Sequence, residues 1–152
     1  MTDDQGEDLN RLGEQLEKLC LGSAGRRDED GNIWAVLGEE GNLFYGPYLA
    51  LPPGQYSVRM IFALKTPAAG TEFGNPGLVL EAVRDLEVIA AFSLDEASLE
   101  AGLVALPFNL TAETKRAEIR LHSRGVCPLV VTSVDLRRMT ATFRRFAVSK
   151  AS

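Results

Sequence analysis

Short runs of alternating apolar and polar residues, separated by strong turn signals, constrain the fold of this chain more than any other feature. Residues 56–64 place apolar side chains at every second position, which is the period of a β-strand with one buried face. Residues 116–122 repeat this alternation, and Pro52-Pro53-Gly54 marks a turn before the first run. The pattern predicts a core that includes Tyr56, Val58, Met60, Phe62, Ile119 and Leu121.

Further strand-like segments recur along the chain, without the helical crossovers that a parallel sheet requires. The 152 residues suit one domain, which can bury enough surface to fold without a disulfide or a metal. We therefore expect a mainly β protein, an antiparallel β-sandwich or a barrel. The predicted strands are residues 33–37, 43–51, 56–64, 78–83, 86–92, 103–110, 116–122, 129–136 and 140–148.

The N-terminal segment, residues 1–31, is interpreted as an acidic leader ahead of a sandwich domain at residues 32–152. Within it, residues 8–21 predict a short amphipathic helix, because leucines recur at spacings of three and four, and a polar linker follows. Such a helix needs a surface to lie on, which is its own sandwich, a second copy of the chain or a partner protein. The stripe consists of Leu9, Leu12, Leu16 and Leu19.

Charge is distributed unevenly along the chain. Residues 115–152 carry nine basic and two acidic side chains, a net charge of +7, whereas the whole chain has a net charge of −5. Opposite charges on paired strands of one domain account for this distribution, and we prefer that interpretation to an anionic partner. The acidic overall charge and the sparse aromatic residues argue against nucleic acid binding.

The sequence also indicates a compartment. The N-terminus lacks the basic and apolar regions of a secretory signal, and no apolar run reaches the roughly 18 residues that cross a membrane. Cytoplasmic residence is therefore expected, and export by another route is left open. Two cysteines, Cys20 and Cys127, do not form a disulfide framework, and we expect free thiols.

No catalytic motif is recognisable in the sequence. His122 is the only histidine, and no Gly-x-Ser-x-Gly segment offers a nucleophile for it to activate. The sequence holds no pair of histidines or cysteines at zinc-binding spacing and no glycine-rich nucleotide loop. We predict a non-catalytic protein without a metal or a cofactor. A hydrolase with two carboxylates that no motif reveals is the weakest alternative.

Aromatic side chains supply the first candidate ligand contacts. A flat ring can lie against the C–H face of a sugar, and Trp34, Tyr45 and Tyr48 are the candidates for this role. The large apolar area of a lone tryptophan also suits a core position. Tyr45 and Tyr48 fall on opposite faces of an ideal strand unless Gly46-Pro47 breaks its register.

Charged side chains interrupt the apolar pattern of several predicted strands. We expect them to line one open sheet face, with Arg59 near Glu81, Glu118 near Arg120, and His122 at the end. Such a face either binds sugar hydroxyls or an acidic sugar, or it forms a ladder of cross-strand ion pairs.

Two stretches carry a resemblance to a known family. The first is Gly46-Pro-Tyr-Leu-Ala-Leu-Pro-Pro-Gly-Gln-Tyr-Ser-Val58, and the second runs from Ala117-Glu-Ile-Arg-Leu-His122 through Pro128-Leu-Val-Val-Thr-Ser-Val-Asp-Leu136. Over residues 33–138 the chain resembles the jelly-roll, carbohydrate-binding-like modules of bacterial surface-polysaccharide proteins. The resemblance implies a jelly-roll sandwich that binds a carbohydrate or a cell-surface polysaccharide. The alternative is a structural or adaptor protein that acts through protein contacts and the N-terminal helix.

Overall fold

The computed structural model describes residues 12–65 and 76–139, which consist mainly of β-strands and the loops that connect them. One helix, α1 (Glu96–Ala101), and one 3₁₀ turn (Leu16–Lys18) are the helical segments within these ranges. The strands are β1 (Gly13–Glu14), β2 (Cys20–Leu21), β3 (Gly25–Arg27), β4 (Ile33–Ala35), β5 (Gly41–Tyr45), β6 (Leu49–Leu51), β7 (Gly54–Leu64), β8 (Leu78–Arg84), β9 (Glu87–Ser93), β10 (Leu103–Leu110), β11 (Thr114–Ser123) and β12 (Leu129–Arg138).

These strands form two antiparallel sheets of six strands each. Sheet 1 has the order β10-β7-β12-β4-β3, and β1 pairs with β12 beside this path. Sheet 2 has the order β2-β5-β11-β8-β9, and β6 pairs with β11. The two-sheet arrangement confirms the mainly β, antiparallel, sandwich-like fold expected from the sequence.

Alternation along the strands directs one face of each sheet into a shared core. In β7 the side chains of Tyr56, Val58, Met60 and Phe62 are buried, and those between them point outward, including the apolar Ile61. The ring of Tyr56 stacks on Phe108 of β10, with ring centres 5.6 Å apart, and its hydroxyl donates to the Pro52 carbonyl at 2.7 Å. The predicted core is confirmed, because Tyr56, Val58, Met60, Phe62, Ile119 and Leu121 are all buried in it.

The predicted N-terminal helix is wrong over residues 12–21, where the chain forms β1, the 3₁₀ turn and β2. Gly13 has a φ of +113°, which no right-handed helix contains. The carboxylate of Glu14 accepts hydrogen bonds from the amide groups of Leu16 and Val134, at 3.1 and 2.7 Å. Pairing of β1 with β12 and of β2 with β5 has therefore overridden a local helix propensity.

The leucine stripe of the leader is used inside the domain. Leu16 and Leu19 are buried in the core, and Leu12 packs against it, whereas Leu9 lies outside the described residues. Two leucines of the predicted self-association or partner surface are thus covered by the chain itself. Residues 13–27 add strands to both sheets.

One predicted strand, residues 43–51, is divided into β5 and β6. Gly46 has a φ of +92°, and Pro47 has no amide N–H to continue the ladder with β11. The amide of Ile119 donates to the Gly46 carbonyl at 2.9 Å, which holds the connecting loop against β11. The strand predicted at residues 140–148 lies outside the described ranges.

Candidate functional site

The outer face of sheet 2 carries four of the five predicted charged residues. Along β11, Glu118, Arg120 and His122 alternate with core residues and so lie on the side away from the core. Glu81 of β8 lies directly across from Arg120 in the strand register. These four side chains together with Tyr48 are called the β11 face below.

Glu118 is a buried carboxylate that holds Arg120 in place. Its side chain is 2% exposed, and its Oε1 accepts a hydrogen bond from Nη2 of Arg120 at 2.9 Å. Its Oε2 has no hydrogen-bond partner among the described residues. The hydrogen bond to Glu118 raises the pKa of Arg120 and outweighs the opposing effect of burial. The hydrogen bond to Glu118 fixes the charge of Arg120 in position, and 26% of the Arg120 side chain remains exposed to solvent.

Tyr48 supplies an exposed aromatic ring beside this arginine. The residue is 44% exposed and follows the loop that Gly46 anchors to β11. The guanidinium carbon of Arg116 lies 4.7 Å from the centre of the ring, which is a cation–π distance. Arg120 lies on the same outer side of β11, four residues further along the strand. The ring therefore contacts one arginine of β11 and stays accessible.

Tyr45 lies on the same outer side of the sheet. It follows the core residue Phe44 on β5, so strand alternation turns it away from the core, and it is half-buried opposite Cys20. The interruption at Gly46 resets the register between the two tyrosines. Tyr45 and Tyr48 therefore share a side of the sandwich that an unbroken strand would not allow.

His122 marks the other end of the β11 face. Its Nε2 lies 3.9 Å from the carboxylate of Glu40, and both side chains are substantially exposed. Its cross-strand neighbours are Asn42 of β5 and Val79 of β8. The end of the face therefore offers hydrogen-bonding groups of both kinds at the surface.

Arg59 lies on sheet 1, on the opposite side of the sandwich. It is exposed on the outer face of β7, between its register partners Ala105 of β10 and Asp135 of β12. The predicted proximity of Arg59 and Glu81 is therefore wrong. Alternation reveals which side of a strand a residue occupies, but it does not reveal which sheet the strand joins.

Trp34 also lies on sheet 1, where its neighbours hold it. The indole Nε1 donates to Oδ2 of Asp28 at 2.7 Å, and the cations of Arg26 and Lys65 lie 5.1 and 5.5 Å from the ring centre. The hydrogen bond from Trp34 is the largest cause of the lowered pKa of Asp28. The ring that was a candidate sugar platform is thus flanked by side chains of the chain itself.

Arg116 is a candidate that the sequence analysis missed. It lies two residues before Glu118 on β11, so it shares the outer side of the strand with Glu118, Arg120 and His122. Its amide donates to the Asp85 carboxylate at 3.2 Å, which fixes the backbone where the strand begins. The two-residue spacing of Glu118, Arg120 and His122 would have identified this residue if it had been extended one step back along the strand.

Across residues 12–65 and 76–139, no group of three His, Cys, Asp or Glu side chains could hold a metal ion. Over the same part of the chain, the structure contains no helix with the length and apolar character that crossing a bilayer demands.

Comparison with known proteins identifies the fold. No protein-family model matches the sequence, and no curated protein matches it either. The structure is similar to a carbohydrate-binding module, CBM6cm-2 from Cellvibrio mixtus lichenase 5A, which was solved in complex with cellotriose. The TM-score is 0.52 at 13% sequence identity, and the match covers 84% of this chain and 97% of that chain. The chain therefore shares the two-sheet β-sandwich fold of that module.

Proposed function

We propose that this protein is a non-catalytic carbohydrate-binding module whose ligand surface is the β11 face. The observation that carries the proposal is the exposed ring of Tyr48 against Arg116, on the side of β11 where the buried carboxylate of Glu118 holds Arg120. An aromatic platform next to a fixed polar group is the combination that recognises a sugar, because the ring takes the C–H surface and the polar group takes the hydroxyls.

The arrangement favours binding because much of it is ordered before a ligand arrives. Glu118 restrains a long arginine side chain that would otherwise lose rotamer freedom on binding. Arg120 donates hydrogen bonds, Glu81 accepts them, and His122 at the end of the face extends the surface available to a longer glycan. A row of this kind suits an extended chain of sugar units better than a single small molecule.

The similar solved structure supports the same class of function. Its name describes a binding module, and its ligand is cellotriose, a short glucan. The adaptor alternative is weaker, because two of the four leucines of its predicted contact helix, Leu16 and Leu19, are part of the core. We therefore favour a glycan over a protein as the ligand of this chain.

A glycan array followed by isothermal titration calorimetry tests the proposal. Tyr48→Ala should weaken binding by about 2 kcal/mol or more, the cost typical of an aromatic hot spot. Ile61→Ala is the matched control, because Ile61 is 42% exposed, close to the 44% of Tyr48, and lies on the outer face of sheet 1. Equal loss in both variants, or no array signal from the folded wild-type protein, would overturn the proposal.

A further inference from the structure

Two arginines of β11, Arg116 and Arg120, lie on the outer side of the strand. The guanidinium carbon of Arg116 lies 4.7 Å from the centre of the Tyr48 ring, and Arg120 follows four residues further along the same side. Each guanidinium can donate to a neutral hydroxyl, but two of them on one side of a strand also concentrate positive charge. The two arginines differ in the contacts that each one already makes within the protein.

Arg120 is only partly used by its own chain. Among the described residues its side chain makes one hydrogen bond, from Nη2 to Glu118. A guanidinium has five N–H donors in a planar fork. The other N–H donors of this guanidinium are not used by the described residues, and the side chain that carries them is 26% exposed. Glu118 itself is 2% exposed and is out of reach of a ligand, so it acts on the ligand only through Arg120.

Arg116 has no carboxylate partner within residues 12–65 and 76–139. Its guanidinium is exposed and contacts the ring of Tyr48, while only its backbone amide reaches Asp85. The charge of this arginine is therefore uncompensated by an ion pair in the described part of the chain. Stacking on the Tyr48 ring restricts the positions that the guanidinium of Arg116 can take. Less side-chain freedom is therefore lost when this guanidinium binds an anion.

We infer that the ligand of the β11 face carries carboxylates, as in a polysaccharide of hexuronate units. This inference rests on the proposed glycan-binding function and narrows its ligand class. The sugar ring packs on the accessible part of Tyr48, and its carboxylate accepts hydrogen bonds from Arg120 and Arg116. A planar carboxylate matches the guanidinium fork in a way that a single hydroxyl does not. Glu81, which lies across from Arg120, accepts from the hydroxyls of the same sugar.

The test compares one oligosaccharide in two chemical forms. Calorimetry is run with a hexuronate oligomer and with the same oligomer after its carboxylates have been reduced to neutral alcohols. The acidic form should bind the full chain about tenfold more tightly or better, as expected for charge-assisted hydrogen bonds. Its affinity should fall as salt is added, whereas the affinity of the neutral form should not change.

Variants of the two arginines then show which residues cause the preference for the acidic oligomer. Arg116→Gln should remove most of the acidic preference, and Arg116→Lys should retain part of it through its charge. Arg120→Gln should likewise remove most of the acidic preference. Circular dichroism checks that each variant remains folded. Arg59→Gln is the matched control, because it removes an exposed arginine from the outer face of sheet 1.

The outcomes separate the two proposals. Equal binding of the acidic and reduced oligomers overturns the hexuronate inference and leaves the glycan-binding function standing. Tighter binding of a sulfated copy of the reduced oligomer than of the carboxylated one also overturns it. If no glycan of any kind binds, the function itself fails, and the inference fails with it.

Discussion

Asp28 organises the polar loop that precedes β4. Its Oδ1 accepts hydrogen bonds from the amides of Asp30 and Asn32, at 2.9 and 3.0 Å, and its Oδ2 accepts the indole N–H of Trp34. These hydrogen bonds, with that from Trp34 as the largest cause, lower the pKa of Asp28 from its ordinary value. A carboxyl with a lowered pKa stabilises the fold above its unfolded pKa, and this stabilisation is lost as the pH falls.

We predict an acid transition at Trp34 that precedes global unfolding. Trp34 is the only tryptophan, so tryptophan emission excited near the red edge of its absorption reports on this residue alone. Lowering the pH through the lowered pKa of Asp28, which lies below the value of about 4 for an ordinary aspartate, should protonate Asp28 and shift the emission maximum while the circular dichroism of the sheets persists. Asp28→Asn at neutral pH should emit like the acidified wild type. An emission maximum that stays constant until the sheets unfold would contradict this role of Asp28.

The two cysteines differ in reactivity. Burial raises the pKa of Cys127 to about 11, whereas Cys20 is exposed. One thiol per chain should therefore react rapidly with a maleimide or a disulfide reagent in the native protein, and two should react after denaturation. In the Cys20→Ser variant the native protein should not react on the same timescale. Rapid native labelling of that variant would show that Cys127 is accessible.

The N-terminal segment contributes to stability as part of both sheets. Leu16 follows β1 and is 7% exposed in the core, so Leu16→Ala should lower the free energy of unfolding by about 2–5 kcal/mol. Urea titration followed by fluorescence measures this change. Leu37→Ala is the control, because Leu37 is 57% exposed and its loss should cost under about 0.5 kcal/mol. Similar stabilities of the two variants would place Leu16 outside the core.

Individual strands differ in how well the sequence predicts them. β7 and β11 were predicted with their buried faces, because apolar residues occupy every second position over most of each strand and each strand lies at the centre of a sandwich layer or next to it. The segment 8–21 failed over its described part, since leucines at helical spacing can equally face a core from a short strand and a turn. Its outcome depended on β12, which is more than a hundred residues away.

The site was only partly predictable for a related reason. Glu118, Arg120 and His122 share one strand, so spacing alone places them on one face. The neighbours that complete the face, Glu81 and Tyr48, come from other segments, and only the strand register shows which of them meet. Arg59 also interrupts an apolar strand pattern, but its strand, β7, belongs to the other sheet. The pairing partners of a strand are set by the tertiary fold.

The topology places the centre of each sheet late in the chain. β11 is the middle strand of sheet 2, and β12 is the middle strand of sheet 1, although both follow every other described strand. During synthesis, the earlier strands can form only separate pieces, such as the hairpin of β8 and β9 or the pair of β7 and β10. Sheet 2 lacks its middle strand until β11 ends at residue 123, and sheet 1 lacks its middle strand until β12 ends at residue 138. The two layers can therefore pack as one unit only after every described strand is made. Until β11 is made, β5 and β8 each have an unpaired edge, and β7 has one until β12 is made, so the nascent chain exposes edges that favour aggregation.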